Sequence, residues 1–361
     1  MRDITHISAP GTQLWKSLQA IVWSLGLLIL LALFFAPEVG TDALWNVLIP
    51  IAPFLLVFSP GIWRNICPLG TTSLLPRYSN TSQRKVVTPR GRKVLGILSL
   101  LLLFLIVPLR HVLFDTNGLA SGILLLLMAT TSLVLGRVYD WKSAWCSGLC
   151  PVHPVEKLYG IKPVVVPRNA HCQLCHQCVV PCPDSTKSMN PLSARKGSIE
   201  QRLGTLLVGS FPGFIWGWFQ VPDYTGLEGW GHIHEVYLWP LLGGIVTLSL
   251  FTLLHQIVPK QRQKQLSGIF ACAAVICYYW FRLPLLFGFG AFPGTGMLVD
   301  LSSTFPSWFP LALQGGMAFL CVWLLLGRNT TKKQSWTIRP PFAGREEGEV
   351  VVRISVSDRD R

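Results

Sequence analysis

Long apolar runs, broken by shorter polar ones, dominate the chain. Eight stretches (17–36, 43–63, 94–114, 116–136, 203–221, 236–258, 266–287 and 301–327) hold close to the number of residues a helix needs to cross a bilayer. The hydrocarbon core is roughly 30 Å thick and takes about 20 apolar residues as α-helix. The pattern therefore predicts an all-α polytopic membrane protein of about eight transmembrane helices. The first stretch outruns the apolar core of a signal peptide, so it reads as a retained helix.

Composition supports this. Half of the 361 residues are hydrophobic and 13% are charged, against about 25% charged in soluble domains. That excludes an ordinary water-soluble enzyme, and a disordered chain with it. The 14 Trp and 19 Phe suit interfacial aromatic belts. A net charge of +14 would suggest nucleic acid in a soluble protein, but its placement points elsewhere. Of 31 Lys and Arg, 29 fall before the first span, after the second, fourth and sixth, or in the tail. The alternate loops carry Glu38, Asp42, Asp115, Asp223, Glu228, Glu235 and Asp300. By the positive-inside rule, both termini and the two long loops lie on the cytoplasmic side, here of a bacterial inner membrane.

Seven of the ten cysteines fall on that side: Cys67, Cys146, Cys150, Cys172, Cys175, Cys178 and Cys182. The other three, Cys272, Cys277 and Cys321, lie in apolar spans, where a thiol behaves as a small hydrophobe. In a reducing compartment, metal binding is favoured over a disulfide framework. Residues 172–183 read C-x2-C-x2-C-x3-C-P, the bacterial ferredoxin spacing for a [4Fe–4S] cluster. Zinc prefers ligand pairs separated by a longer loop. One cluster is expected from Cys172, Cys175 and Cys178, closed either by Cys182 or by a remote Cys-Pro cysteine. A second cluster would need Cys67, Cys146 and Cys150, together with a non-cysteine or partner ligand.

A half-hidden repeat groups these cysteines. The second span ends in Trp63-Arg64-Asn65-Ile66-Cys67-Pro68, and the fourth leads into Cys146-Ser147-Gly148-Leu149-Cys150-Pro151. Each is a helix pair followed by a Cys-Pro step, and Trp63 stands where the first copy would have its leading cysteine. The chain thus divides into four helices with a Cys-Pro loop (1–136), a ferredoxin-like iron–sulfur segment (137–202), four further helices (203–327) and a polar tail (328–361).

A C-x3-C-P after a transmembrane pair, followed by a C-x2-C-x2-C-x3-C-P run, resembles the NapH/NosR-type membrane ferredoxins of nitrate and nitrous-oxide respiration. The match covers roughly the first five spans. The resemblance implies transfer of electrons from the quinol pool toward a terminal reductase, or maturation of that reductase. Cys172, Cys175, Cys178 and Cys182 correspond to the family's cluster run, and Cys146 and Cys150 to a C-x3-C-P. This chain has one cluster run rather than two, a degenerate first Cys-Pro motif, extra spans and no flavin-binding outer domain.

On the opposite side, His111 ends the third span, and His232, His234 and Glu235 precede the sixth. A histidine beside a carboxylate can accept protons from a quinol, and two histidines can ligate a b-type haem. Wet interfacial side chains are the plainer alternative. Arg282 lies about 24 Å into the seventh span, within snorkelling reach of the outer headgroups, and an intramembrane charge is also a functional pointer. The alternating stretch 349–357 suits one strand for partner docking, or an unattached tail. No nucleotide fingerprint, catalytic triad or nucleic-acid module is present. The expected partners are lipid and the redox subunits of a respiratory or photosynthetic complex. An assembly factor and a redox sensor are the rival functions.

Overall fold

The computed structural model describes residues 9–140, 142–167, 170, 197–292 and 296–328. Its helices are α1 (Ala9–Phe35), α2 (Pro37–Thr41), α3 (Ile49–Phe58), α4 (Pro60–Ile66), α5 (Pro68–Tyr78), α6 (Pro89–Leu109), α7 (Gly118–Val138), α8 (Val152–Tyr159), α9 (Ile199–Trp218), α10 (Ile233–Ile257), α11 (Gln263–Leu286) and α12 (Phe309–Val322). Single π-helical turns follow α2, α6 and α12 and precede α8, at Asp42–Leu48, Arg110–Phe114, Trp323–Gly327 and Trp145–Leu149. No strand forms among the described residues, which hold one isolated bridge between Lys85 and Tyr139. The 349–357 stretch and Cys172, Cys175, Cys178 and Cys182 lie outside the described residues.

Helix starts follow local chemistry. Thr88 Oγ1 accepts from the Gly91 amide at 3.0 Å ahead of α6, where Pro89 takes the first helical position. Asn117 caps α7 through the Ala120 amide at 3.0 Å, and Ser198 caps α9 through Gln201 at 3.2 Å. Each side-chain oxygen satisfies an amide that the helix itself leaves without a partner.

Among the described residues, seven helical stretches are long and apolar enough to cross a membrane: Gln13–Phe35, Pro37–Phe58, Pro89–Phe114, Gly118–Val138, Gly229–Ile257, Lys260–Leu286 and Phe309–Gly327. The chain is a multi-pass helical membrane protein, and its exposed leucines, isoleucines and valines on α1, α7 and α10 face lipid. The expected span at 203–221 forms α9, which is not among the seven. Its composition has a packing reason. Twelve of its twenty residues are buried, and Gly209, Gly213 and Gly217 recur every fourth residue along it. That stripe lies antiparallel on α10. A Cβ on Gly213 would stand 1.9 Å from the Gly243 carbonyl oxygen, and one on Gly217 would stand 2.2 Å from that of Trp239. Small residues let two backbones touch where lipid supplies no hydrophobic drive between helices. Thr247 Oγ1 adds polar contacts across the seam, accepting from the Gly213 amide at 3.2 Å.

The main core gathers around α9, where Phe211, Phe214 and Trp218 meet Leu100 of α6, Phe251 of α10, Val275 of α11 and Cys321 of α12. Cys272 and Cys321 are buried as small apolar groups, as expected. A second cluster joins Leu33, Leu44, Trp45 and Phe114.

Replacing Gly213 by Ala drives the new methyl into the α10 backbone and should destabilise the detergent-solubilised protein by about 3 kcal/mol. Gly231→Ala, which meets nothing within 4 Å, should stay within about 0.5 kcal/mol of the parent. Thermal unfolding of the two variants side by side checks the contrast.

Candidate functional site

The two Cys-Pro steps adopt the same local structure. Cys67 has φ −54° and ψ 124° and caps α5; Cys150 has φ −58° and ψ 121° and leads through Pro151 into α8. A residue before proline is held in this extended region, and the proline is pre-shaped for the helix that follows. Each sulfur therefore sits at a helix N-terminus. The Leu69 and Gly70 amides point at Cys67 Sγ, and the Val152 amide points at Cys150 Sγ. Gly70 lies between the two arms: a Cβ there would be 3.5 Å from Cys146 Sγ and 3.9 Å from Cys67 Sγ. The Cys150 backbone is fixed by Ser99 Oγ, which donates to its carbonyl at 2.7 Å.

Burial raises the Cys67 thiol above its ordinary value against the pull of the Gly70 amide and Lys142. The Cys150 thiol is pushed well up, by burial first and then by Cys146 and Cys67. The three sulfurs are thus within electrostatic range of one another. The buried Trp145 Nε1, beside Cys146, has no acceptor among the described residues. Amide donors aimed at sulfur, a glycine cradle and a spare indole donor suit thiolates carrying a metal–sulfur group. Among the described residues no group of three or more His, Cys, Asp or Glu side chains is arranged to hold a metal ion. Completing such a group requires ligands from elsewhere in the chain or from a partner.

A buried ionic latch ties the two Cys-Pro arms together. Arg64, three residues before Cys67, places Nε 2.8 Å from Glu156 Oε1, with side-chain exposures of 7% and 4%. Its Nη2 lies 3.4 Å from Ser147 Oγ and 3.3 Å from His153 Nδ1. Lys142 Nζ donates to the Arg64 carbonyl at 3.0 Å. His153 Nδ1 stands 3.3 Å from Glu156 Oε2 as well as from Arg64 Nη2, so it donates to the carboxylate when it carries the ring proton and accepts from the guanidinium when it does not. Burial pushes the His153 imidazole down to about 4, which keeps it neutral at pH 7. Burial alone would raise Glu156, but Arg64 and then His153 hold its carboxyl below the usual range. Sequence reasoning did not single out Arg64, Lys142, His153 or Glu156. Their one local signal was proximity to the Cys-Pro motifs.

The same network marks where the chain enters the cysteine run. The Ala170 amide donates to Asn65 Oδ1 at 3.1 Å, and Gln19 Nε2 of α1 donates to the Asn65 carbonyl at 2.9 Å. Asn65 is two residues before Cys67, and Ala170 is two residues before Cys172.

At the other end of the bundle the predicted outer residues part company. His111 is 2% exposed, with Nδ1 2.6 Å from Asp223 Oδ1 and Nε2 2.8 Å from the Trp218 carbonyl. One proton bridges the His111–Asp223 pair whichever group carries it. Both ring nitrogens are engaged, so neither has a lone pair to offer a haem iron without giving up a bond. The ring stacks on Trp218 at 4.5 Å. Arg110 beside it forks onto Asp115 at 2.8 and 3.0 Å and lies over Trp45 and Trp218. His232, His234 and Glu235 instead form an exposed patch. His232 stacks on Tyr224 at 4.3 Å, and Tyr224 Oη donates to Glu235 Oε2 at 3.1 Å. Glu235 lies 3.4 Å from His232 Nδ1 and 3.8 Å from His234 Nε2, so each outer histidine stands beside a carboxylate; that of His111 is Asp223, which sequence reasoning counted only as an acidic loop residue. Arg282 does not snorkel: it is 2% exposed and turned inward, onto Trp45 and Asn46.

No family model, curated protein or solved structure matches the chain.

Breaking the latch from one side leaves a buried charge without its counter-ion. Glu156→Gln should cost about 3 kcal/mol of unfolding stability. The double variant Arg64→Met with Glu156→Met should recover a large part of that loss. A double-mutant cycle on thermal unfolding reads the coupling.

Proposed function

We propose that this chain is an iron–sulfur electron-transfer subunit. In this reading it passes electrons between the quinone pool or a membrane complex and a partner redox protein at the cytoplasmic face of a bacterial inner membrane. One observation carries the reading. Two Cys-Pro arms of matching backbone conformation bring Cys67 and Cys146 against the same glycine, where the chain enters the C-x2-C-x2-C-x3-C-P run. Cys172, Cys175 and Cys178, closed by Cys182 or by one of Cys67, Cys146 and Cys150, would hold a [4Fe–4S] cluster, which supplies one-electron storage. A second cluster would draw on the remaining cysteines and an outside ligand.

The chain's own residues have definite parts in this reading. The helix N-termini at Leu69–Gly70 and Val152 turn amides toward sulfur and stabilise thiolate charge. Buried Lys142 places positive charge near the Cys67 thiol, which favours the more negative, reduced state of a cluster, while the charge of Arg64 is met by Glu156. The latch holds both arms in register, so that the donors stay fixed as charge arrives and leaves. Helix α9 belongs in this reading as an eighth crossing, since it runs antiparallel along α10 and returns the chain to the His111 end. An even number of crossings leaves both termini and both cysteine arms on the basic, cytoplasmic side.

Anaerobically purified full-length protein should contain about four iron and four acid-labile sulfides per chain, or about eight if a second cluster is present. Reduction should produce an S = 1/2 signal in low-temperature EPR. Cys172→Ser with Cys175→Ser should remove iron, sulfide and signal together. Zinc without sulfide in the parent protein would overturn the proposal.

A further inference from the structure

Arg282 is the one buried cation at the His111 end with no carboxylate in contact among the described residues; Asp115 and Asp223 act on it only from a distance. Arg110 is paired with Asp115, and His111 with Asp223. Arg282 Nη2 donates to the Trp45 carbonyl at 2.9 Å and to the Asn46 side-chain oxygen, both neutral groups on the π-helical turn Asp42–Leu48. Asp42 is one step removed, accepting from Asn46 Nδ2 at 2.7 Å. Gly296 covers Nη1 so closely that a Cβ there would stand 2.6 Å away. That leaves Arg282 Nε, which is buried and has no partner among the described residues. One helical turn earlier, Tyr278 Oη is also buried without a hydrogen bond. Residues four apart share a helix face, and Tyr278 is within electrostatic range of Arg282, Arg110 and Asp115. The surroundings are aromatic: Phe219 lies 6.0 Å from the Tyr278 ring and stacks on Phe281 at 5.2 Å.

Two buried donors beside a positive charge that no carboxylate touches describe a receptor for an anionic or partly negative oxygen. Preorganised donors in a water-poor site stabilise such a charge far better than water-exposed ones. We propose that Arg282 Nε and Tyr278 Oη bind the carboxylate or phenol oxygen of a small, largely apolar molecule. Positive charge and paired donors select the oxygen, and the aromatic border accepts the apolar body. Such an oxygen has two sources: a carboxylate from the aqueous side or a hydroquinone dissolved in lipid. The site stands whether or not the cysteine end carries a cluster.

The test uses the full-length chain in lipid nanodiscs, titrated with benzoate and separately with a short-chain ubiquinol while thermal unfolding is followed. One of the two should raise the midpoint saturably, by about 5 °C at high ligand excess. A benzoate response identifies the aqueous carboxylate, and a ubiquinol response the lipid-borne source. Arg282→Gln should abolish the response. Tyr278→Phe, which keeps the ring and its packing, should weaken binding about tenfold, the worth of one hydrogen bond. No saturable response to either probe in the parent protein overturns the proposal, as does unchanged affinity in Tyr278→Phe.

Discussion

A charge or amide that leaves water for the interior of a membrane bundle has to find its partner inside the protein, because lipid offers none. Much of this architecture follows from that constraint. Arg64 meets Glu156, Arg110 forks onto Asp115, and His111 is held between Asp223 and the Trp218 carbonyl. These groups sit at or beside irregular turns. Arg110 and His111 lie on the π-helical turn after α6, Trp45 and Asn46 on the one after α2, and Cys146 on the one before α8. A π turn inserts one residue into the helix and re-aims the side chains around it, a device that recurs at functional sites. Arg282 is the exception that gives the rule its use. Its Nε has the burial of the others but not their partner.

The paired Cys-Pro arms rest on a more local device. Proline restricts the cysteine before it and begins the helix after it, so the two copies of the repeat arrive at almost the same φ and ψ. The helix that follows supplies amides to the sulfur without any further design. Holding the two arms against each other is a separate task. The Arg64–Glu156 latch and the Ser99–Cys150 bond do this, drawing on α4, α6 and α8 together.

Helix α9 shows how packing overrides composition. A helix bathed in lipid must be apolar all round, whereas one enclosed by four others can trade bulk for closeness. The Gly209, Gly213 and Gly217 stripe lowers its hydropathy and at the same time brings its backbone onto α10. The polar first turn of α9, Glu200-Gln201-Arg202, leaves the apolar part too short to stand among the seven clearly apolar spans, yet packing makes the helix the centre of the main core.

The sequence by itself determined the helical class, the position of seven apolar spans and the Cys-Pro repeat. Apolar run length, proline and cysteine spacing act within a few residues of themselves, so they can be read without a structure. It also singled out His111 as a quinol or haem candidate at the end of a span and Arg282 as a charge inside one, but not what they meet. Only the tertiary structure decided that. Arg64 reaches Glu156 across 92 positions, His111 reaches Asp223 across 112, and Arg282 reaches Asn46 across 236. Each of these polar groups is satisfied by whichever helix the packing brings beside it, and no local pattern carries that choice.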